Sequence, residues 1–383
     1  MRQAPGFVPA GKEKLVCRLK KSVYGLKQSA RCWNKRIHEV LIQAGFQQGK
    51  ADPCLYTKAV GEQRIFVLIY VDDILVACED EKLLVEVQHH LEKHFEITAL
   101  GDLRSFLGME IATEKGEYSI SLKGYIEQLA EKFDLLNSKP VKMPMDPGYA
   151  KDAGISQPLA DINDYRSLVG ALLYVSVNSR PDVAASMSIL GQKVSSPTQA
   201  DWSAAKRVLK YLYTTRDRKL TFGGNSRRLL GFADADWAGD SATRKSMSGY
   251  VFMYGNGAIS WRSHKQTCVS LSSMEAEYIA LSDACQEAVW LRQLLQDFGE
   301  KQEDATIINE DDQGCIPFVH AGRISKRSKH IETRQFYVKD VCDRGDVKIQ
   351  YCPSEQNTAD LFTKPLGTSK LMQHSKSIGL LPA

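Results

Sequence analysis

The segment Ile65–Cys78 constrains this chain most. It places two apolar, β-prone runs around Asp72 and Asp73, with no other polar group between them. β-Branched and aromatic residues on both sides predict two strands, and two residues between them predict a tight hairpin. Adjacent carboxylates at such a tip repel one another, and Asn-Gly or Asp-Gly would turn the chain more comfortably. A divalent cation is the simplest group that offsets the repulsion. The alternative is an ordinary hairpin with a solvated acidic tip.

At 383 residues the chain has room for two or three domains. Its formal charge of +4 permits nucleic-acid binding without demanding it. The charge is uneven: Lys12, Lys14, Arg18, Lys20, Lys21, Lys27, Arg31, Lys35 and Arg36 make the first segment strongly cationic. A solvated surface explains any such run, but beside a metal-binding carboxylate pair a phosphate backbone fits better. Nine scattered cysteines with no Cys-x-x-Cys pair point to reduced thiols rather than a disulfide framework or a zinc finger. With no signal peptide and no apolar run of membrane-spanning length, the expectation is a soluble, intracellular protein.

Three regions emerge. Residues 1–138 alternate strand-like and helix-like patterns, as in an α+β domain. Ala30, Trp33, Ile37, Val40 and Leu41 predict one amphipathic helix, and Leu83, Val87, Leu91 and Phe95 a second. Residues 139–164 carry Pro140, Pro144, Pro147 and Pro158, the composition of a linker. Tyr165 to Leu212 repeats helical spacing, so 139–228 reads as a linker and helical connection. Residues 229–383 read as an α/β domain, with a long helix over Ser272–Phe298.

Four acids in that last region lie at predicted element ends. Asp234 closes a strand, Glu275 opens the long helix, Asp311 follows the strand Thr306–Ile308, and Asp360 begins a helix after Asn357-Thr358. Acids so placed converge in an α/β sheet, and converging carboxylates are what phosphodiester hydrolysis by two magnesium ions requires. Each has an ordinary explanation too. Glu275 completes the capping box Ser272-x-x-Glu275. Asp311, Asp312 and Asp360 suit helix N-termini. Asp234 and Asp236 suit a turn.

Several motifs carry a resemblance. Tyr70-Val71-Asp72-Asp73, the upstream Tyr24-Gly25-Leu26-Lys27-Gln28 and the downstream Leu100–Ile111 segment resemble the reverse transcriptase of copia-type LTR retrotransposon Pol polyproteins. Phe232–Gly239, Leu271–Tyr278, Asp311–Ile316, Ser328–Glu332 and Ala359–Leu366 resemble the RNase H domain of the same elements. The implied fold is an α+β reverse transcriptase palm remnant over 1–138, a helical connection, and an α/β RNase H-like domain over 229–383. The implied metal ligands are Asp72 and Asp73 in one site and Asp234, Glu275, Asp311 and Asp360 in the other. They would hold Mg2+, with Mn2+ as a substitute. Lys27 and Gln28 would contact template and incoming dNTP, and His330 the hybrid, although a plain helix histidine explains His330 equally.

The implied partners are an RNA–DNA hybrid, a template-primer with dNTP, and other Pol or capsid segments of a polyprotein, with no membrane. The implied location is the cytoplasm, in a virus-like particle if the element is intact, or the nucleus. Asp312 departs from the family, which usually has asparagine there, and adds charge beside the metal site. The family's third polymerase aspartate lies upstream of a segment resembling Gln3–Phe7, so the polymerase is expected to be inactive alone. A non-catalytic retroelement remnant, or a recruited nucleic-acid-binding protein, stays open as a second reading.

Overall fold

The computed structural model describes residues 1–149, 156–224, 226–240, 242–321 and 332–382. The chain divides into two compact units, Met1–Leu100 with Gln296–Gly299, and Gly101–Leu295 with Glu300–Ala383.

In the first unit, helix α1 (Ser29–Gln43) precedes strands β1 (Gln47–Gln48), β2 (Leu55–Val60), β3 (Gln63–Tyr70) and β4 (Asp73–Ala77), followed by helix α2 (Glu81–Glu92). The strands form one antiparallel sheet in the order β1-β2-β3-β4. Strand β3 buries every second residue, Ile65, Val67 and Ile69. That period of two puts them on one face, where Ile37, Val40 and Leu41 of α1 and Val87 and Leu91 of α2 cover them. Each such side chain contributes about 1.5–3 kcal/mol when fully buried. The Asp80 carboxylate caps α2 by accepting the Lys82 amide at 2.8 Å. Residues 1–28 form turns and one isolated bridge, Arg2 with Val16.

The second unit holds two sheets. One comprises β5 (Ser105–Phe106), β6 (Met109–Glu114), β7 (Glu117–Ser121) and β8 (Lys219–Phe222), with α3 (Lys123–Lys132), α4 (Asn163–Asn178), α5 (Ala184–Gly191) and α6 (Gln199–Thr214) between β7 and β8. The other comprises β9 (Leu230–Asp236), β10 (Met247–Tyr254), β11 (Gly257–Lys265), β12 (Thr306–Glu310) and β13 (Val347–Tyr351). Helix α7 (Ser273–Asp297) lies between β11 and β12 in sequence. Helices α8 (Cys315–Ala321) and α9 (Glu332–Asp343) lie between β12 and β13. A 3-10 turn (Thr358–Phe362), α10 (Thr368–Ser377) and β14 (Leu380–Leu381) end the chain.

Strand order in the second sheet is β11-β10-β9-β12-β13, antiparallel through β9 and parallel beyond it. This is the α/β arrangement expected of an RNase H-like domain.

The expected boundaries at 138 and 228 do not match the observed division at residue 100. Strand β14 pairs with β8, and β8 with β7, so the chain's last strand extends the sheet begun at Ser105. One apolar core joins Leu122 and Leu172 to Val251, Phe362 and Leu380. Nor does the proline-rich stretch behave as a free linker. Met145 is buried, and the Tyr149 hydroxyl donates to buried Asp201. Prolines there stop helices without preventing side chains from packing.

Candidate active sites

In the first unit the carboxylate pair sits where β3 turns into β4, but one residue out of the expected register. Tyr70 pairs with Asp73, so the two-residue loop is Val71-Asp72, and Asp73 begins β4. Val71 has φ +56°, whereas Asp72 is not left-handed. That pattern belongs to a type II′ turn, whose first position glycine ordinarily fills. A β-branched residue there is strained. The Trp33 indole N–H donates to the Val71 carbonyl, and the Trp33 ring packs edge-on against Phe95 at 5.2 Å between centroids. Helix α1 thus holds the turn in place. Asp72 and Asp73 are both exposed. Lys27 and Gln28 are exposed at the start of α1, with Gln28 as its N-cap.

The second unit assembles its acids through the sheet. Strands β9 and β12 are parallel, with Ile307 beside Leu230 and Asn309 beside Phe232. Continuing that register brings Asp311 level with Asp234. Asp234 does not close its strand as expected; β9 continues to Asp236. Across the sheet Asp234 faces Gly249 of β10. A Cβ on Gly249 would lie 2.5 Å from the Phe362 Cβ, so glycine is what lets the Thr358–Phe362 turn press onto the sheet. That close approach delivers Asp360.

Helix α7 supplies the third element, packing Ala276 and Ala280 against Ala235. Small residues on both sides let the helix approach closely, and Glu277 reaches the centre. Carboxylate oxygens of Asp234, Glu277 and Asp311 lie within 4.8 Å of one another.

Glu277, not Glu275, therefore joins the group. The Glu275 carboxylate accepts the Leu271 amide at 2.9 Å, and the Glu275 N–H donates to Ser272 Oγ at 3.2 Å. These contacts tie Glu275 to the start of the helix. Glu277 lies three residues after Met274 and four before Leu281, on the buried stripe of the helix, where an acid has no ordinary use. That placement was the available signal for it. His330 lies outside the described residues.

Neighbouring side chains orient the acids. Asn357 Nδ2 donates to the Ala233 carbonyl at 2.8 Å and to Asp311 Oδ1 at 3.2 Å. The Thr363 hydroxyl donates to Asp234 Oδ2. Lys364 Nζ is 2.6 Å from Asp360 Oδ1 and 3.9 Å from Asp234 Oδ2, and Lys370 Nζ is 3.8 Å from Asp360 Oδ2. The sequence alone assigns no role to Asn357 or Thr363. Asp312 stands aside: its Oδ1 accepts the Gly314 and Cys315 amides at 2.6 and 3.2 Å, capping α8.

Burial and mutual repulsion dominate the electrostatics. Desolvation, opposed by Lys364 and reinforced by Asp360, pushes the Asp234 carboxyl up to about 7. Burial, then Glu310 and Asp234, raises Glu277 well above the usual carboxylate range. Burial likewise raises Glu310, which is completely buried. Glu277 Oε2 and Glu310 Oε2 are buried with no hydrogen-bond partner among the described residues. Burial lowers Lys364, but Asp234 and Asp360 outweigh it and raise its ammonium above the usual value.

Crowded carboxyl oxygens, two of them buried without a hydrogen-bond partner among the described residues, fit a divalent cation that would favour their charged forms, and an all-carboxylate donor set suits a hard one. Among the described residues no helix is long and apolar enough to cross a membrane.

Comparison with known proteins agrees. The family described as reverse transcriptase (RNA-dependent DNA polymerase) matches residues 1–147. The retrovirus-related Pol polyprotein from transposon TNT 1-94 of Nicotiana tabacum is 35% identical over 391 residues, covering 99% of this chain and 29% of that protein. The Pol polyproteins from transposons RE2 and RE1 of Arabidopsis thaliana are 33% and 31% identical, and the chain spans 26% of each. The putative transposon Ty5-1 protein YCL074W of Saccharomyces cerevisiae is 32% identical, covering 75% of this chain and 94% of that protein. A solved RNase H1 from Halobacterium salinarum covers 36% of this chain and 94% of its own at 18% identity, with a TM-score of 0.27. The strand order, not that score, identifies the fold. The chain belongs to the copia-type LTR retrotransposon Pol family, of which it carries a reverse transcriptase domain and an RNase H-like domain.

Proposed function

We propose that the second unit cleaves the RNA strand of RNA–DNA hybrids using Mg2+ or Mn2+. The observation that carries this reading is the convergence of carboxylate oxygens from Asp234, Glu277 and Asp311, the first two of them buried. Bound divalent ions lower the pKa of a coordinated water and stabilise the leaving oxygen. The protein's part is to hold the oxygens convergent before substrate arrives. Asn357 orients Asp311, Thr363 orients Asp234, and Lys364 with Lys370 steadies Asp360. Hybrid recognition would rest on backbone shape and 2′-hydroxyls.

For the first unit the proposal is the polymerase role of the family. Asp72 and Asp73 would take the metal ions of nucleotidyl transfer, and Lys27 and Gln28 would lie along template-primer and dNTP. All nine basic residues singled out between Lys12 and Arg36 are exposed, as phosphate contacts require. Other Pol or capsid segments would be its partners within a polyprotein, and the cytoplasm or nucleus its location.

The test is cleavage of a labelled RNA–DNA hybrid by the full chain, with Mg2+ and with chelator. Glu277→Gln should abolish cleavage, whereas Glu275→Gln should cleave within a few-fold of the parent after correction for folded fraction. Cleavage by Glu277→Gln at the parent's rate would remove the trio as the catalytic centre.

A further inference from the structure

The acids of the nuclease centre fall into two groups that share Asp234. One is the trio with Glu277 and Asp311. The other is the pair with Asp360, and a lysine ammonium already stands in it, at 2.6 Å from Asp360 and 3.9 Å from Asp234. We propose that Lys364 is a built-in cation that occupies the second cation position of the centre and must swing out before a second divalent ion enters. The proposal rests on the nuclease reading above.

Three further observations support it. The Lys364 side chain is 40% exposed although both its partners are 4% exposed, so its stem reaches in from the surface. Lys364 also borders a cleft of about 470 Å3, with Gln192, Lys193, Asp236, Asp240 and Met247 among its walls, which gives the side chain somewhere to go. Finally, Lys370 lies 3.8 Å from the other Asp360 oxygen and would keep one positive partner there when Lys364 leaves.

The consequence is an unequal pair of ion sites. Without Lys364, Asp234 and Asp360 would repel each other in a buried setting, so the ammonium keeps the centre assembled while metal-free. The same charge opposes a second divalent ion. Removing a unit charge about 4 Å from a divalent ion is worth on the order of tenfold in affinity, even at a water-like dielectric.

The experiment is Mn2+ binding, followed by electron paramagnetic resonance, to the full chain without nucleic acid. Every protein compared, the parent included, carries Asp72→Asn and Asp73→Asn so that the other proposed ion site is silent. The parent should bind one ion clearly tighter than a second, and Lys364→Met should tighten the second on the order of tenfold or more. Equal stoichiometry and affinity in parent and variant would overturn the role of Lys364 and leave the nuclease reading standing. No Mn2+ bound by either protein would overturn the nuclease reading itself. Should Lys364→Met fail to fold, amine-reactive labelling of the parent, read by peptide mass spectrometry, decides the matter. Lys364 should label several-fold faster in saturating Mn2+ than in chelator, and an unchanged rate would overturn the proposal.

Discussion

Asp72 and Asp73 are exposed at the tip of a hairpin, whereas Asp234 is 3% exposed in the middle of a strand, with Asp360 equally buried nearby. Water weakens repulsion between the first pair to about 1 kcal/mol at 4 Å. Their geometry comes instead from a strained backbone: Val71 at φ +56°, gripped through its carbonyl by Trp33. The buried acids have no such screening, and charge itself shapes their surroundings. Two lysines, a threonine and an asparagine are turned toward them. One centre is organised by conformation and the other by charge, so the same substitution should have opposite kinds of consequence in the two.

The sharpest way to break this comparison is hybrid cleavage. Asp234→Asn should lower it on the order of a thousandfold or more, since the carboxylate charge proposed to hold the ions is lost. Asp72→Asn, in the other unit, should leave it at the parent's rate. A large loss from Asp72→Asn would show that the centres are not independent.

The next largest difference concerns pH. In chelator, the Asp234 carboxyl titrates near 7 in the folded chain, well above its unfolded value near 4. Between those values the folded state binds more protons than the unfolded one, so stability falls as pH rises. Its contribution is fully present below about pH 4 and lost by about pH 7, on the order of a few kcal/mol. Asp234→Asn should flatten that fall in thermal unfolding with chelator. A parent whose melting temperature rises from pH 5 to pH 7 in chelator would contradict the buried-charge account.

The same contrast explains which features were legible in the sequence. The apolar runs around Asp72 announced their strands because β-propensity and alternation are local. The turn register was not legible, since a valine at positive φ contradicts the usual turn chemistry and is tolerated only because Trp33, distant in sequence, holds it. The placement of Asp234, Asp311 and Asp360 near element ends was legible from the element pattern and the family motifs. Glu277 was not legible from the helix start, where the Ser272-x-x-Glu275 pattern brings Glu275 forward instead. The better signal was an acid on the buried stripe. Asn357, Thr363 and Lys364 matter only through contacts made across the fold, and the joining of β14 to β8 is likewise non-local.

Strain at the exposed centre yields a smaller prediction. Replacing Val71 by glycine relieves a left-handed β-branched residue, offset in part by greater chain entropy in the unfolded state. A net gain of about 1 kcal/mol in the stability of the first unit is expected. Denaturant unfolding followed by the fluorescence of Trp33, with the other four tryptophans replaced by phenylalanine, would measure it. A loss of 1 kcal/mol instead would mean that Val71 packs favourably enough to outweigh its backbone.

The smallest effect is expected at Asp312, and it tests how local the charge control of the buried centre is. Asp312 adds to the field on Glu277 and Glu310, but it stands last among the causes raising either of them. Its Oδ1 is turned to the Gly314 and Cys315 amides, a role that the amide oxygen of asparagine fills equally well. Asp312→Asn should therefore keep the cap of α8 and remove only a secondary repulsion. Hybrid cleavage should stay within about twofold of the parent, and the melting temperature within a degree or two. A tenfold gain in cleavage would show that the charge at Asp312 reaches the reacting oxygens directly. A tenfold loss would make Asp312 itself a ligand.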